Sequence, residues 1–276
     1  QWQARLPVDR RLQVQILCAT EEKLVGAARL DVDRTDHLTT VRKPRMYLLA
    51  AGISRYRDSR VPSLELGARN AQSFMETLLD HAGTIYDVQP LVLTDQHVTP
   101  AVWHSTAAQL AANLRDVQPD DLVVLFVSGH GLVDETSDQY YYVTANARYA
   151  DLVRPNYRDC LSFAELIDWA DVPCRRVAIL DTCHSGAVQA LDSQHLKRAV
   201  RFLQNDLVLT LTASEGNQLA AEYRGAQASL FTGAIRASFE QKRDRDGDGR
   251  MDWREVVAEV REQVRNQSLS GLVPQF

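Results

Sequence analysis

The sequence predicts an α/β domain with a mostly parallel sheet and helices on both faces. Three observations predict it. From Arg45 onward, short runs of strand character alternate with amphipathic stretches, the order expected of strand–helix–strand units. Two of those runs, Leu122 to Val127 and Val177 to Leu180, are wholly apolar, as central parallel strands covered on both faces must be. The chain has 276 residues, enough to bury a full core in one domain of upper-middle size with a small appendage.

Residues 1–43 read as an N-terminal β appendage or the tail of a preceding domain. Leu12-Gln13-Val14-Gln15-Ile16-Leu17 alternates like a half-buried strand, a further short strand is expected near Leu24 to Leu30, and Asp31 to Lys43 is charged and turn-like. The first residue is Gln1 rather than Met. This start reads as a piece cut from a longer protein, with further domains or a sensor partner expected beyond it.

Residues 44–276 form the main domain. Strands are expected at Met46–Ala51, Val88–Leu93, Leu122–Val127, Tyr140–Thr144, Arg176–Leu180 and Leu207–Leu211. Between Gly67 and Leu79, the side chains Ala68, Ala71, Phe74, Met75 and Leu78 recur at helical spacing. Thr99-Pro100 is an N-cap followed by proline at the first helical position. Ser162-Phe163-Ala164-Glu165 matches a capping box ahead of Leu166 and Ile167.

Composition excludes several classes. The 31 basic and 36 acidic side chains leave a net charge of −5, which speaks against a nucleic-acid surface. No apolar run approaches the length of a membrane span, and the polar N-terminus lacks the apolar core of a signal peptide. Cys18, Cys160, Cys174 and Cys183 contain no C-x-x-C pair and do not form a disulfide framework in a chain this long. A reducing, cytoplasmic setting is therefore expected.

The chemistry is expected where the two apolar runs stop. Leu122–Val127 gives way to Ser128-Gly129-His130-Gly131, and Val177–Leu180 to Asp181-Thr182-Cys183-His184-Ser185-Gly186. In open α/β sheets the functional crevice lies beyond the carboxyl ends of the strands. If the two strands are neighbours, imidazole and sulfur face one crevice. A thiolate is the effective nucleophile, and a nearby imidazole generates it and protonates the leaving amine. The N–H groups of Gly131 and Cys183 are the candidates to hold the oxyanion. Taken singly, a cysteine after a strand is more often a small buried hydrophobe and a histidine more often structural. The combination is what carries the reading. His184 and His97 are rival bases. Adjacent residues in extended chain point to opposite sides, which disfavours His184. His97 lies in a polar turn before a capped helix, so His130 is preferred.

Ser128-Gly129-His130-Gly131 and Asp181-Thr182-Cys183-His184-Ser185-Gly186 resemble the two signature blocks of the caspase-like peptidases. The cysteine block is most similar to that of bacterial caspase homologues and metacaspases. Met46 to Tyr56, with Ala-Ala-Gly-Ile-Ser-Arg-Tyr, is similar to the family's first strand and following loop. Thr212-Ala213-Ser214, Glu222 and Ser229-Leu230-Phe231-Thr232 resemble its block after the catalytic strand. The resemblance runs from about Arg45 to Phe276. It implies a caspase-type α/β fold, a Cys183/His130 dyad, protein or peptide substrates and no cofactor in the chemistry itself. It also implies that Asp181, two residues before the cysteine, sits at the base of the pocket for the residue preceding the cut. A carboxylate there pairs with Arg or Lys. Many relatives carry another acid in the first helix, where this chain has Asn70. The bland alternative for Asp181 is an acid that tethers the active-site loop. Residues 187–206, with Lys197, Arg198 and Arg201, are a candidate self-processing segment or else a solvated helix face.

Residues 244–255 fit the EF-hand loop pattern. Asp244, Asp246, Asp248, Asp252 and Glu255 fall at loop positions 1, 3, 5, 9 and 12, Gly249 at 6, and Arg250 at 7, where the backbone carbonyl is the ligand. Helical sequence flanks both sides. A structural or regulatory Ca2+ is expected there, against the alternative of an acidic Gly-rich turn. Two rivals to peptidase function stand beside it: a catalytically silent caspase-like binding module, and a non-proteolytic thiol hydrolase or transferase.

Overall fold

The computed structural model describes residues 12–19, 24–32, 42–134, 136–137, 139–153, 156–170, 172–183, 208–212, 228–241, 245 and 253–269. The chain divides into two compact units, Gln1–Arg42 and Lys43–Phe276. The first holds strands β1 (Leu12–Ala19) and β2 (Leu24–Val32), paired antiparallel with a register shift between Cys18 and Ala19.

The other unit is built on a sheet with a parallel centre. Strands β3 (Arg45–Gly52), β4 (Asp87–Thr94), β5 (Leu122–Asp134), β8 (Arg175–Cys183) and β9 (Val208–Thr212) pair in the order β4-β3-β5-β8-β9, every pairing parallel. From Gly131 onward, β5 changes partner. It pairs antiparallel with β6 (Gln139–Val143), which pairs with β7 (Cys160–Ser162). β4 lies at the end of the strand order and carries Pro90, a residue without an N–H that edge strands tolerate.

Alternation along the strands splits the core in two. Met46, Leu48 and Ala50 of β3, Leu122, Val124 and Phe126 of β5, and Val177 and Ile179 of β8 bury on one face. They meet helices α1 (Gly67–Ala82), α5 (Leu230–Gln241) and α6 (Trp253–Leu269). Tyr47, Leu49 and Ala51 with Val123, Leu125 and Val127 bury on the other. They meet α2 (Pro100–Asn113) and α4 (Phe163–Ile167); a short α3 (Tyr149–Leu152) precedes β7. This is the doubly covered sheet that the apolar runs predict. Each fully buried aliphatic or aromatic side chain there contributes about 2 kcal/mol of transfer free energy.

The helix signals also hold. In α1, Ala71, Phe74, Met75 and Leu78 are buried, and Phe74 stacks on Phe126 with centroids 4.4 Å apart. Thr99 caps α2 by accepting Val102 N–H at 3.3 Å, ahead of Pro100. Ser162 and Glu165 form the reciprocal capping box of α4. α1 is pinned to the sheet by two glycines. A Cβ on Gly52 would lie 2.2 Å from Gly67 O, and one on Gly67 would lie 2.1 Å from Ile53 O. Buried Asp121 ties the starts of β3 and β5 together by accepting Arg45 N–H at 2.7 Å and Gln118 N–H at 2.8 Å.

One expectation needs correction. The apolar runs do not mark strand ends: β5 continues to Asp134 and β8 to Cys183. The strand keeps pairing through Gly129, whose φ of 153° is one that glycine alone adopts with ease. The sequence loses its apolar character there although the pairing continues.

Candidate active site

β5 and β8 are adjacent, and their register sets Ser128 beside Asp181, Gly129 beside Thr182 and His130 beside Cys183. The His130 and Cys183 backbones are therefore one strand spacing apart, about 4.8 Å. His130 is 3% exposed. Its backbone N–H donates to Tyr56 Oη at 2.9 Å, and its Nε2 lies 2.8 Å from Pro62 O. A carbonyl oxygen only accepts, so this contact assigns the proton to Nε2 and makes Nδ1 the basic nitrogen of the neutral ring. The Tyr56 ring stacks on the imidazole, centroids 5.0 Å apart and planes 19° apart.

Two further tyrosines brace β5 and β8 here. Tyr142 Oη donates to Ser128 O at 2.9 Å, and burial raises its pKa well above the usual range, which keeps it a donor. Tyr140 Oη donates to Thr182 Oγ1 at 3.1 Å. A Cβ on Gly131 would lie 2.8 Å from Tyr140 Oη and 2.9 Å from Thr182 Oγ1, so no side chain fits there without moving that pair.

Asp181 lies beneath this row, 2% exposed. Its Oδ2 accepts from Asn70 Nδ2 at 3.0 Å, Ser229 Oγ at 2.7 Å and Thr232 Oγ1 at 2.7 Å. Asn70, also buried, donates from the same Nδ2 to Ser128 Oγ at 3.1 Å and accepts Ser229 N–H at its Oδ1 at 2.9 Å. Asn70 thus joins α1, the far part of β5, the far part of β8 and the start of α5. Three donors thus converge on one carboxylate oxygen and fix its position.

A family model described as a caspase domain matches residues 49–276. The chain belongs to the caspase family. Among solved structures, it is similar to protein GSU0716 from Geobacter sulfurreducens, at 15% identity and a TM-score of 0.51, covering 79% of this chain and 88% of that one. At that identity the likeness shows a shared fold. No curated protein matches the chain.

In this caspase domain the sequence-predicted residues divide into four groups. His130, Cys183, Gly131, Asp181 and Asn70 are brought to one region of the sheet by the β5–β8 register and by α1. The rival His97 is exposed, in a short 3-10 helix of residues 95–97. His184 and the segment 187–206 lie outside the described residues. So do Asp244, Asp246, Asp248, Arg250 and Asp252 of the acidic loop. Its flanking helices are α5 and α6. Glu255 stands in the first turn of α6, where its Oε1 accepts Arg245 N–H at 2.7 Å. Among the described residues no cluster of three or more His, Cys, Asp or Glu is arranged to hold a metal ion. Arg245 also pairs with Glu259, 3% exposed, and with Glu262, so the loop entrance is charge-matched to α6.

Sequence reasoning missed four contributors. Ser229 and Thr232 stand in a block whose resemblance is visible, yet their hydroxyls acquire a role only when α5 meets β8. Pro62 acts through its carbonyl, which no side-chain pattern announces. Tyr56 belongs to the Ala-Ala-Gly-Ile-Ser-Arg-Tyr stretch, but nothing in the sequence sets its ring against His130.

Proposed function

We propose that this caspase domain is a cysteine endopeptidase that cuts protein substrates after Arg or Lys. The observation that carries the reading is the pairing of His130 with Cys183 on adjacent strands, with Nε2–H directed to Pro62 O. In this mechanism Nδ1 of His130 takes the thiol proton of Cys183. The sulfur adds to the substrate carbonyl, and the N–H groups of Gly131 and Cys183 stabilise the oxyanion. Nδ1 then returns the proton to the departing amine. Water, deprotonated by the same nitrogen, releases the acid and restores the thiol. Pro62 O stabilises the imidazolium through each cycle, because Nε2–H remains its donor.

Asp181 supplies the negative charge that selects a basic side chain, and Asn70, Ser229 and Thr232 fix its carboxylate. The acidic loop between α5 and α6 takes Ca2+ as a structural or regulatory ion, through Asp244, Asp246, Asp248, Arg250 O, Asp252 and Glu255. The flanking helices α5 and α6 support this, as does Glu255 at the head of α6.

Fluorogenic peptides ending in Arg, Lys or Asp, offered with and without Ca2+, test the reading. Arg and Lys peptides should turn over at least about 10²-fold faster than Asp peptides, a difference set by one desolvated ion pair. Cys183→Ala should turn over none. Turnover of no peptide in either condition favours the silent binding module instead.

A further inference from the structure

The stretch that provides Pro62 reaches His130 from another side as well. Tyr56 lies six residues before Pro62 in the loop between β3 and α1. It is 9% exposed, its ring covers the imidazole face, and its Oη accepts the His130 backbone N–H. One loop therefore holds the histidine by ring face, by main chain and by Nε2.

The loop is itself fixed from three directions. Ile53 N–H donates to Ser128 O at 3.0 Å, and Arg57 N–H to Ala145 O at 2.9 Å. Ser54 and Arg55 N–H both donate to Asp95 Oδ1, at 2.8 and 3.0 Å. Asp95 adopts φ 47°, a left-handed conformation that is unfavourable for a non-glycine residue. That cost is offset where the carboxylate satisfies two loop N–H groups at once. Strain retained on a residue that braces the loop under His130 fits a positioning device.

We infer that Tyr56 is a positioning residue for His130, resting on the dyad reading above. Its stack prevents the imidazole from turning away from Pro62 O. Its π face also lies against the ring that becomes cationic when Nδ1 takes the thiol proton, and an aromatic face stabilises a cation. Both effects act on the charged dyad more than on substrate binding.

The test compares wild type with Tyr56→Phe, Tyr56→Leu and His130→Ala, using an Arg peptide and active-site titration. Tyr56→Phe keeps the stack and loses the acceptor for the His130 N–H, and kcat should fall about fivefold. Tyr56→Leu loses both, and kcat should fall about 10²-fold with KM within about twofold. The apparent pKa values of the dyad in the kcat/KM profile should move by about half a unit or more in the Leu variant, and less in the Phe variant. If His130→Ala abolishes turnover while both Tyr56 variants keep wild-type kcat and pH profile, the inference is overturned alone. If His130→Ala retains wild-type turnover, the dyad reading falls and the inference with it. Should the Leu variant fail to fold, the near-isosteric Phe variant decides by the same kcat and pH criteria.

Discussion

Exchange of His130 for alanine is expected to lower kcat/KM by about 10³-fold or more, and to do so without additivity. A positioned acid–base group accounts for about 10²–10⁴-fold, and groups that act as a unit fail together. The double variant His130→Ala/Cys183→Ala should therefore be no less active than Cys183→Ala alone. Residual activity of His130→Ala should rise with pH, because the thiol must then ionise without a base beside it. The fold should survive. His130 is buried against Tyr56, and removing its ring costs about 2–4 kcal/mol of packing. Equal loss of activity and of unfolding midpoint would instead mark His130 as structural. Kinetics on folded protein, with the midpoint from urea unfolding, separates the two.

Asn70→Asp is expected to destabilise the domain by about 3 kcal/mol at neutral pH. The substitution keeps the acceptor that Ser229 N–H uses. It replaces the amide donor, now shared between Ser128 Oγ and Asp181 Oδ2, with an oxygen. At 2–3% exposure, two carboxylates sharing that space cannot both ionise cheaply. One proton restores a donor between them, so the folded state holds a proton that the unfolded state releases. Its pKa in the folded state is thus raised, and the associated stability is present at low pH and lost as pH rises. The deficit should therefore be smaller in mildly acidic than in neutral buffer, in urea unfolding of wild type and variant at both. A deficit that does not change with pH would mean that Asn70 and Asp181 are not electrostatically coupled.

The fold was legible where burial dictates composition. Leu122–Val127 and Val177–Leu180 must be apolar on both faces because helices cover both, and that pattern has few alternatives. The strand ends were less legible. Ser128 to Gly131 reads as a turn by its glycines, yet the backbone stays in the ladder and transfers at Gly131 to β6. β7, three residues long, is too short to show a period. At the site, His130 and Cys183 announce themselves because the proposed chemistry needs those side chains. Pro62 does not, since any residue supplies a carbonyl. Nor does the triple donation to Asp181 oxygen, which unites α1 and α5 across more than a hundred residues of sequence.

The shared work of sulfur and imidazole is tested most directly by an irreversible peptidyl ketone carrying Arg next to its electrophile. Its adducts are mapped by mass spectrometry in wild type, Cys183→Ala and His130→Ala. Cys160 and Cys174 are poor competitors: both are buried, and burial pushes their thiols up to about 12 and about 11. One adduct per chain is expected, on Cys183, absent from the first variant and formed far more slowly in the His130 variant. Peptide hydrolysis by protein whose Cys183 stays unmodified, or labelling of Cys183 at an undiminished rate without His130, would contradict a shared dyad.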